Sequence, residues 1–517
     1  MPDSGKEREI IGGLLDDAAA AFDRGAVGKA RALLSGILRL HPDDATALRR
    51  LAEIEINGGD PQVALALFKR AGDTTLDAGL CHGIATALRL MGDGKGFRLA
   101  LDAALRINVN YPPALYDLAV LHQQNKDYAA AQRAYQRLVA GGTKDADTLF
   151  NAGVVAFKRG DLIAAERWFH ASAIVDPKAP RPYINLAMIY RTWGYLEQAR
   201  ACLERAIVLA PDNADAHWNY ANALLVSGMF EKGFAAYEWR FRRSGREERK
   251  PGIPRWQGEA LAGRTLLLTL EQGLGDAIHF VRFADQAAAR GARVVIECHP
   301  GLEELLATAK GVAAAVTAGT RVPDASVYLP LMSLPHVLGT TVDTIPADVP
   351  YLRVPHGAPA MALREGGLRV GLVWRGNPKH EADDKRSVAL EILAPLFAVP
   401  GVAWFSLQVG ATDVLEPRIV DLAPQLRDFA ATAAAVSALD LVISVDTAVA
   451  HLAGALGKPV WTLIAEANDW RWLSRRSDTP WYPTMRLFRQ RRGRNWQPAL
   501  TEMAGELHKW ASSGARG

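Results

Sequence analysis

The first 240 residues repeat themselves every 33 or 34 positions, and this periodicity restricts the fold more than any other feature of the chain. Small residues recur at Ala52, Ala85, Ala119, Gly153, Ala187 and Ala221. Twelve positions after most of them stands another, at Ala64, Ala131, Ala165, Ala199 and Gly233. Four further on comes a bulky residue, at Phe68, Tyr135, Phe169, Leu203 and Tyr237. Pro42, Pro177 and Pro211 close individual repeats. PYINLAMIYRTWGYLEQARACLERAIVLAP predicts an amphipathic helix, a turn at Gly194 and a second helix. Small residues belong where two helices cross closely, and the bulky residue fills the gap beside them. Helix pairs of this length stack on their neighbours and bury a core that none buries alone.

The pattern resembles the tetratricopeptide repeat (TPR), with about six and a half copies and an irregular one near 78–111. The expected architecture is a superhelix with a concave groove. Asn151, Asn185 and Asn219 stand 34 residues apart, at one position of three repeats. An amide both donates and accepts, so such a column suits gripping the backbone of an extended peptide. The alternative is that each amide caps local backbone. The column resembles the acceptor groove of eukaryotic O-linked N-acetylglucosamine transferase, and it is short, because the upstream repeats carry Arg50 and Asp117 instead.

A chain of 517 residues is too long for one core and predicts two or three domains. Its net charge of +4 neither demands nor excludes a polyanionic partner, and no nucleic-acid partner is expected. Cys81, Cys202 and Cys298 are far apart, which argues against a disulfide framework or a structural zinc site. Neither a signal-peptide pattern nor an apolar run of about 20 residues is present, so a cytoplasmic protein without an integral membrane segment is expected. The basic, proline-containing stretch WRFRRSGREERKPGIPR reads as a solvated, partly intramolecular connector, the alternative being contact with an acidic acceptor or anionic lipid.

Beyond Arg264 the pattern changes. TLLLTL, RVVIECH, SVYLPL, RVGLVW, VAWFSLQ, LVISV and PVWTLI are short β-rich runs, several separated by alanine-rich helical segments. This alternation predicts parallel sheets covered by helices. The expected fold class is α plus α/β. A repeat domain at 1–240 and a linker at 241–261 precede two Rossmann-like lobes at 262–365 and 366–495, and a helix at 496–517 closes the chain.

Three junctions carry candidate chemistry. In LEQGLGDAIHF, Gly273 and Gly275 permit a tight turn whose N–H groups attract an anion. Asp276 follows directly, placed either to take a hydroxyl proton or to cap the helix. A dinucleotide fingerprint needs a third glycine where Ile278 stands, although Glu297 mimics its ribose-binding acid. In VGLVWRGNPKHEADDKRSVAL, a strand ends in a cationic loop with Arg375, Asn377, Lys379, His380, Lys385, Arg386 and Ser387. The carboxyl end of a parallel strand is where such a loop meets an anionic ligand. In DLVISVDTAVAHLAGALGKPVW, a strand runs into Asp446, Thr447 and Ala448, with His451 one turn along a small-residue helix. Asp145 and Asp147 form a DxD, but it falls in a repeat hinge and does not read as a cation site.

Together these junctions resemble the GT-B glycosyltransferases of the bacterial heptosyltransferase type, particularly its repeat-fused branch. DWRWLSRRSDTPWYPTMRLFRQ adds to the likeness. The resemblance implies a metal-independent enzyme with a nucleotide-sugar, CMP- or UDP-linked, as co-substrate and no other cofactor. It makes Asp276 the general base. Lys385, Thr447, Ala448 and His451 would surround the donor phosphates, His451 protonated or hydrogen-bonding, with Gly273, Gly275, Asn377, Arg386, Ser387 and Asp446 completing the donor site. Asn151, Asn185 and Asn219 would line the acceptor groove. Repeat-fused relatives include flagellin glycosyltransferases that use nonulosonic acids, so a protein acceptor, flagellin, is expected. The alternatives are a saccharide or lipopolysaccharide acceptor, a non-catalytic scaffold, and an NAD enzyme disfavoured by Ile278.

Overall fold

The computed structural model describes residues 4–363, 366–378, 383–410, 417–466, 469–491, 493 and 495–513. The chain divides into two compact units, Met1–Leu186 and Ala187–Gly517.

The first unit is a succession of antiparallel helix pairs, from Ser4–Asp23 and Val27–Leu40 to Ala146–Lys158 and Leu162–Val175. Several turns are written as Gly-Asp. Gly59 and Gly160 take left-handed backbone (φ 82 and 80) that ends one helix. Asp60 and Asp161 then accept the N–H of Val63 and Ala164 and start the next. The small columns sit at helix crossings: Ala52, Ala64, Ala119, Ala131 and Ala165 are fully buried. A Cβ on Gly153 would lie 2.6 Å from the Phe169 ring, which fills that space itself. Residues 78–111, irregular in sequence, still form the pair Ala78–Leu90 and Gly94–Ile107, with Phe97 buried at the usual small position.

The second unit begins inside the repeat array, before the expected boundary at residue 240. Phe230, Phe234 and Tyr237, on the helix Phe230–Tyr237, gather around Trp470 with ring centroids 6.2, 5.5 and 6.5 Å away. The final repeat hairpin therefore shares a core with the α/β region. The connector is largely exposed and tied to the second unit at particular arginines. Buried Arg240 binds Glu271 and Glu238, with Nη2 donating to Ser333 Oγ at 2.7 Å. Arg249 pairs with Glu297, Arg255 with Glu238 and Glu248, and Trp256 is fully buried. Its arginines are anchored by carboxylates that the sequence scatters up to 48 positions away.

Two parallel sheets follow. The first has the order β3-β2-β1-β4, with β1 Thr265–Thr269, β2 Arg293–Cys298, β3 Val312–Thr317 and β4 Ala325–Pro330. The second has the order β10-β9-β8-β5-β6-β7, with β5 Leu368–Val373, β6 Val402–Ser406, β7 Ile419–Asp421, β8 Leu441–Val445, β9 Val460–Ile464 and β10 Met485–Arg489. β1, β8 and β9 are buried at every residue, as strands covered on both faces must be. β3 was hidden in the sequence: its Ala-Ala-Ala run reads as helix, and it forms a strand because it pairs with β2 at the sheet edge. The closing helix, Gln497–Ser513, lays Leu500, Met503 and Leu507 on the core of the second lobe. No described helix is long and apolar enough to cross a membrane.

Candidate functional site

The carboxyl ends of β1 and β8 face one another through the helices that follow them, Leu274–Phe280 and Ala448–Ala455. Gly275 sits at their closest approach. A Cβ there would lie 3.1 Å from His451 Cδ2 and 3.4 Å from Ala448 Cα. This is the reason for a glycine at 275, and it differs from the phosphate-cradling role read from the sequence. Gly273 is likewise not a free donor: its N–H donates to Asp276 Oδ2 at 3.0 Å, the one half of a capping box that a glycine allows.

Asp276 therefore caps its helix, and it also does more. Its other oxygen accepts from Arg471 Nη2 at 2.5 Å, and Arg471 Nη1 donates to Asp469 Oδ1 at 2.9 Å. Burial opposes the charge of Arg471, but the two carboxylates more than offset it and hold the guanidinium above its ordinary pKa. One cation thus serves two carboxylates. If Asp276 takes a proton, Arg471 keeps Asp469 and is not left as a lone buried charge.

Across the contact, the helix Ala448–Ala455 starts open. Asp caps several of the repeat helices, but Thr447 leaves its helix without a side-chain cap and bonds Ser444 Oγ instead, at 3.0 Å. No side-chain cap takes the first N–H groups of this helix, and a helix start left uncapped is the arrangement that receives an anion. Arg386 lies beside this helix start. Its Nη1 donates to the Asp446 carbonyl at 3.1 Å and its Nε to Asp383 at 3.2 Å, tying the loop after β5 to the end of β8. Ser387 fixes the same loop by accepting the Gly376 N–H at 3.0 Å. Burial, with Asp469 nearby, pushes the Asp446 carboxyl up to about 6. Asn377 and Lys385 are exposed on this loop and its short helix Asp383–Arg386. Lys379 and His380 lie outside the described residues.

His451 is buried, and the structure removes its protonated form. Burial, reinforced by Arg471 and Arg282, holds its pKa well below the usual histidine value. Its ring stacks on Trp472 at 5.3 Å, and its Nδ1 meets Tyr482 Oη at 2.9 Å. The same hydroxyl meets His279 Nδ1 at 3.0 Å. Tyr351 Oη lies 3.3 Å from the same hydroxyl, and because one hydroxyl donates only once, at most one of the two imidazoles accepts from it. His279 Nε2 is buried without a partner, and an orphaned N–H is the costlier orphan. The proton of His279 therefore sits on Nδ1 and is donated to Tyr482 Oη. Where Tyr482 donates to His451 Nδ1, the neutral His451 carries its proton on Nε2 and is a hydrogen-bond donor there.

Several of these partners escaped the sequence reading. Arg471, Asp469, Trp472 and Tyr482 come from one segment whose density of Trp and Arg was its only signal. Arg282, which donates to Tyr351 Oη at 2.8 Å and the Trp481 carbonyl at 2.6 Å, follows the glycine turn by seven residues. Glu297 proves to be buried and paired with Arg249, so the ribose-binding role that supported an NAD enzyme is taken. The repeat asparagines have local partners. Asn151 Nδ2 donates to Tyr116 Oη at 3.1 Å, Asn185 to the Arg181 carbonyl at 3.0 Å and Asn219 to the Asp215 carbonyl at 2.9 Å. Asn185 and Asn219 thus spend an N–H within their own helices and keep the amide oxygen as an acceptor. Asp145 caps Thr148 and Asp147 pairs with Arg181. The described residues hold no group of three or more His, Cys, Asp or Glu arranged for a metal ion.

Comparison with known proteins follows this division. A glycosyltransferase family 9 (heptosyltransferase) profile matches residues 410–495, and tetratricopeptide-repeat profiles match 13–75, 116–180 and 180–213. Protein FlbA of Caulobacter vibrioides is 29% identical over 416 residues, covering 72% of this chain and 69% of FlbA. Human Tetratricopeptide repeat protein 8 is 33% identical over 91 residues, 18% of this chain and 17% of that protein. A tetratricopeptide repeat protein from Parabacteroides merdae aligns with a TM-score of 0.34 and 19% identity, over 44% of this chain and 91% of that one.

Proposed function

We propose that this chain, which carries tetratricopeptide repeats followed by a glycosyltransferase family 9 domain, moves a sugar from a nucleotide-sugar to a hydroxyl of a protein acceptor. The observation that carries the reading is the opposition of Asp276 on one lobe to an uncapped helix start on the other. The two ends suit the two halves of glycosyl transfer. As the bond to the anomeric carbon breaks, negative charge develops on the leaving phosphate. The open N–H groups after Thr447, the Nε2–H of His451 and the guanidinium of Arg386 are the donors that stabilise it, with Lys385 in reach of the outer phosphate. No metal is required in this scheme. On the opposite side, Asp276 takes the proton of the attacking hydroxyl. Lobes in contact around the reacting atoms exclude water and suppress hydrolysis of the donor.

The repeats supply the acceptor. A groove that holds polypeptide has no use for a small sugar, so the fusion favours a protein substrate over a saccharide. The finer reading takes flagellin as acceptor and a nonulosonic acid, carried by CMP, as the transferred sugar. It rests on the resemblance of the three motifs to the repeat-fused branch. Asp276→Asn keeps the oxygen that accepts the Gly273 N–H and should fold, yet lower turnover by about 100-fold or more. Turnover at the wild-type rate removes Asp276 from the mechanism.

A further inference from the structure

Behind Trp470, between a repeat helix and the second lobe, lies a half-open cavity of about 310 Å³. Arg191 and Trp193 enter it from the end of the helix Pro180–Thr192 and the turn beyond. Glu466 enters from the end of β9, Arg489 from the end of β10, and Arg475 from the segment between those strands. Three guanidinium groups therefore face one carboxylate.

Arg191 and Arg489 are partly buried without a carboxylate partner among the described residues, and Arg475 is exposed at the mouth. Arg489 donates only to backbone carbonyls, those of Arg476 at 2.7 Å and Trp472 at 2.5 Å. Burial, with Arg476 beside it, draws its pKa down to about 10. Arg475 reaches the Gly194 carbonyl at 3.4 Å. Arg191 is half-buried and makes no hydrogen bond or ion pair among the described residues. Burial depresses its pKa, and Asp469 offsets only part of that. Charge kept out of water without a partner costs stability. The backbone adds to that cost: Leu473 and Arg475 both have positive φ, 50 and 57, which non-glycine residues rarely adopt. Strain in the segment that carries Asp469 and Arg471, beside the unpaired charges of Arg191 and Arg489, suits the cavity to an anionic group.

We propose that the cavity binds an acidic side chain of the acceptor polypeptide. Resting on the reading of a protein acceptor, this assigns that acceptor an Asp or Glu close to the modified hydroxyl. The wall formed by a repeat helix favours polypeptide over donor, whose phosphates have their own place at the Thr447 helix start. Trp193 and Trp470 flank the arginines with aromatic surface suited to the chain around the carboxylate. Arg471, next to Trp470, leads directly to Asp276.

The test is fluorescence anisotropy of the full chain with a twelve-residue Gly/Ser peptide centred on Asp-Ser-Asp, against its Asn-Ser-Asn counterpart. The acidic peptide should bind the wild type about tenfold more tightly. Arg191→Gln and Arg475→Gln should each shrink that preference to about twofold, and Arg191→Gln should leave the melting temperature unchanged or raised, because it removes an unpaired charge. Equal binding of the two peptides by the wild type overturns the proposal. So does a preference that survives in both variants. CMP-N-acetylneuraminic acid, losing affinity in Arg191→Gln while the peptides do not, would reassign the cavity to the donor and overturn it as well. Nucleotide binding is read separately by thermal shift. If it is absent while the acidic preference persists, the transferase reading fails and the cavity assignment stands.

Discussion

Gly273 and Gly275 belong to one motif, but the structure predicts opposite outcomes for substituting them. A Cβ on Gly273 meets only Asp276 Oδ2, at 3.6 Å, and its φ of −78 suits any residue. Gly273→Ala should cost about 1 kcal/mol or less, the difference between glycine and the poorer N-cap alanine, with no steric cost added. A Cβ on Gly275 already stands 3.1 Å from His451 Cδ2 and 3.4 Å from Ala448 Cα, the latter backbone that cannot rotate away. Gly275→Ala requires a shift of a few tenths of an ångström, and Gly275→Val drives two further methyl groups into the second lobe. Overpacking of this kind costs about 1–3 kcal/mol. At roughly 2–4 °C per kcal/mol for a domain of a few hundred residues, Gly275→Val should melt about 2–12 °C lower. Because the displaced atoms are the helix start and His451, a misplacement near 1 Å should also lower turnover by about 100-fold. Differential scanning fluorimetry and donor turnover, measured on both variants side by side, give the answer. Gly275→Val with wild-type melting and turnover would refute the claim that the lobes meet at this residue. A Gly273→Ala as damaging as Gly275→Val would restore the anion-cradle reading.

Within the repeats, Gly153→Val should destabilise by about 1–3 kcal/mol in urea unfolding, since Phe169 occupies the space it needs. Buried neutral histidines contribute stability that is present above about pH 6.5 and lost as the pH falls, because the unfolded chain takes up protons that His279 and His451 refuse. His279→Gln should flatten the fall in melting temperature between pH 7 and pH 5, removing up to about 1.4 kcal/mol per pH unit. Asp446, raised to about 6, acts in the opposite sense and leaves that difference intact. Arg240→Met leaves Glu271 buried without its cation, while Glu238 keeps Arg255, and should cost about 3–5 kcal/mol in chemical denaturation. Removing residues 1–186, the first compact unit, should abolish protein modification while nucleotide still raises the melting temperature. Full modification by the remainder would dismiss the repeats as a recruiting device.

The repeats were legible because helix crossings impose a fixed spacing of small residues, and the Gly-Asp turns spell out where one helix stops and the next begins. Seven β-runs were legible because strands buried on both faces are continuous runs of Val, Ile and Leu. β3, β7 and β10 were not: the first is rich in alanine, the second is three residues long, and the third mixes Arg with apolar residues at the sheet edge. The site was legible by halves. Asp276, Thr447 and His451 stand where a strand becomes a helix, and that local grammar marks them. Their partners could not be read locally. Arg471 lies 195 positions from Asp276, and Tyr482 is 203 from His279 and 31 from His451. Only the folded segment after β9 shows that one guanidinium and one hydroxyl organise both lobes. The division at residue 186 was hidden for the same reason, because the aromatic residues of the last repeat pack on partners more than 200 positions away.

The central claim is that the opposed lobes hold a nucleotide-sugar at the Thr447–His451 helix start. Its most direct test is the melting temperature of the full chain against CMP, UDP, GDP, ADP and NAD, for the wild type and His451→Ala. A ligand at about 100 times its Kd adds about 2.7 kcal/mol, a shift that is easily seen. The account predicts stabilisation by one nucleoside phosphate, lost in His451→Ala, with CMP naming a nonulosonic acid donor and UDP a hexosamine. Stabilisation by NAD alone, or by no nucleotide at all, would contradict it.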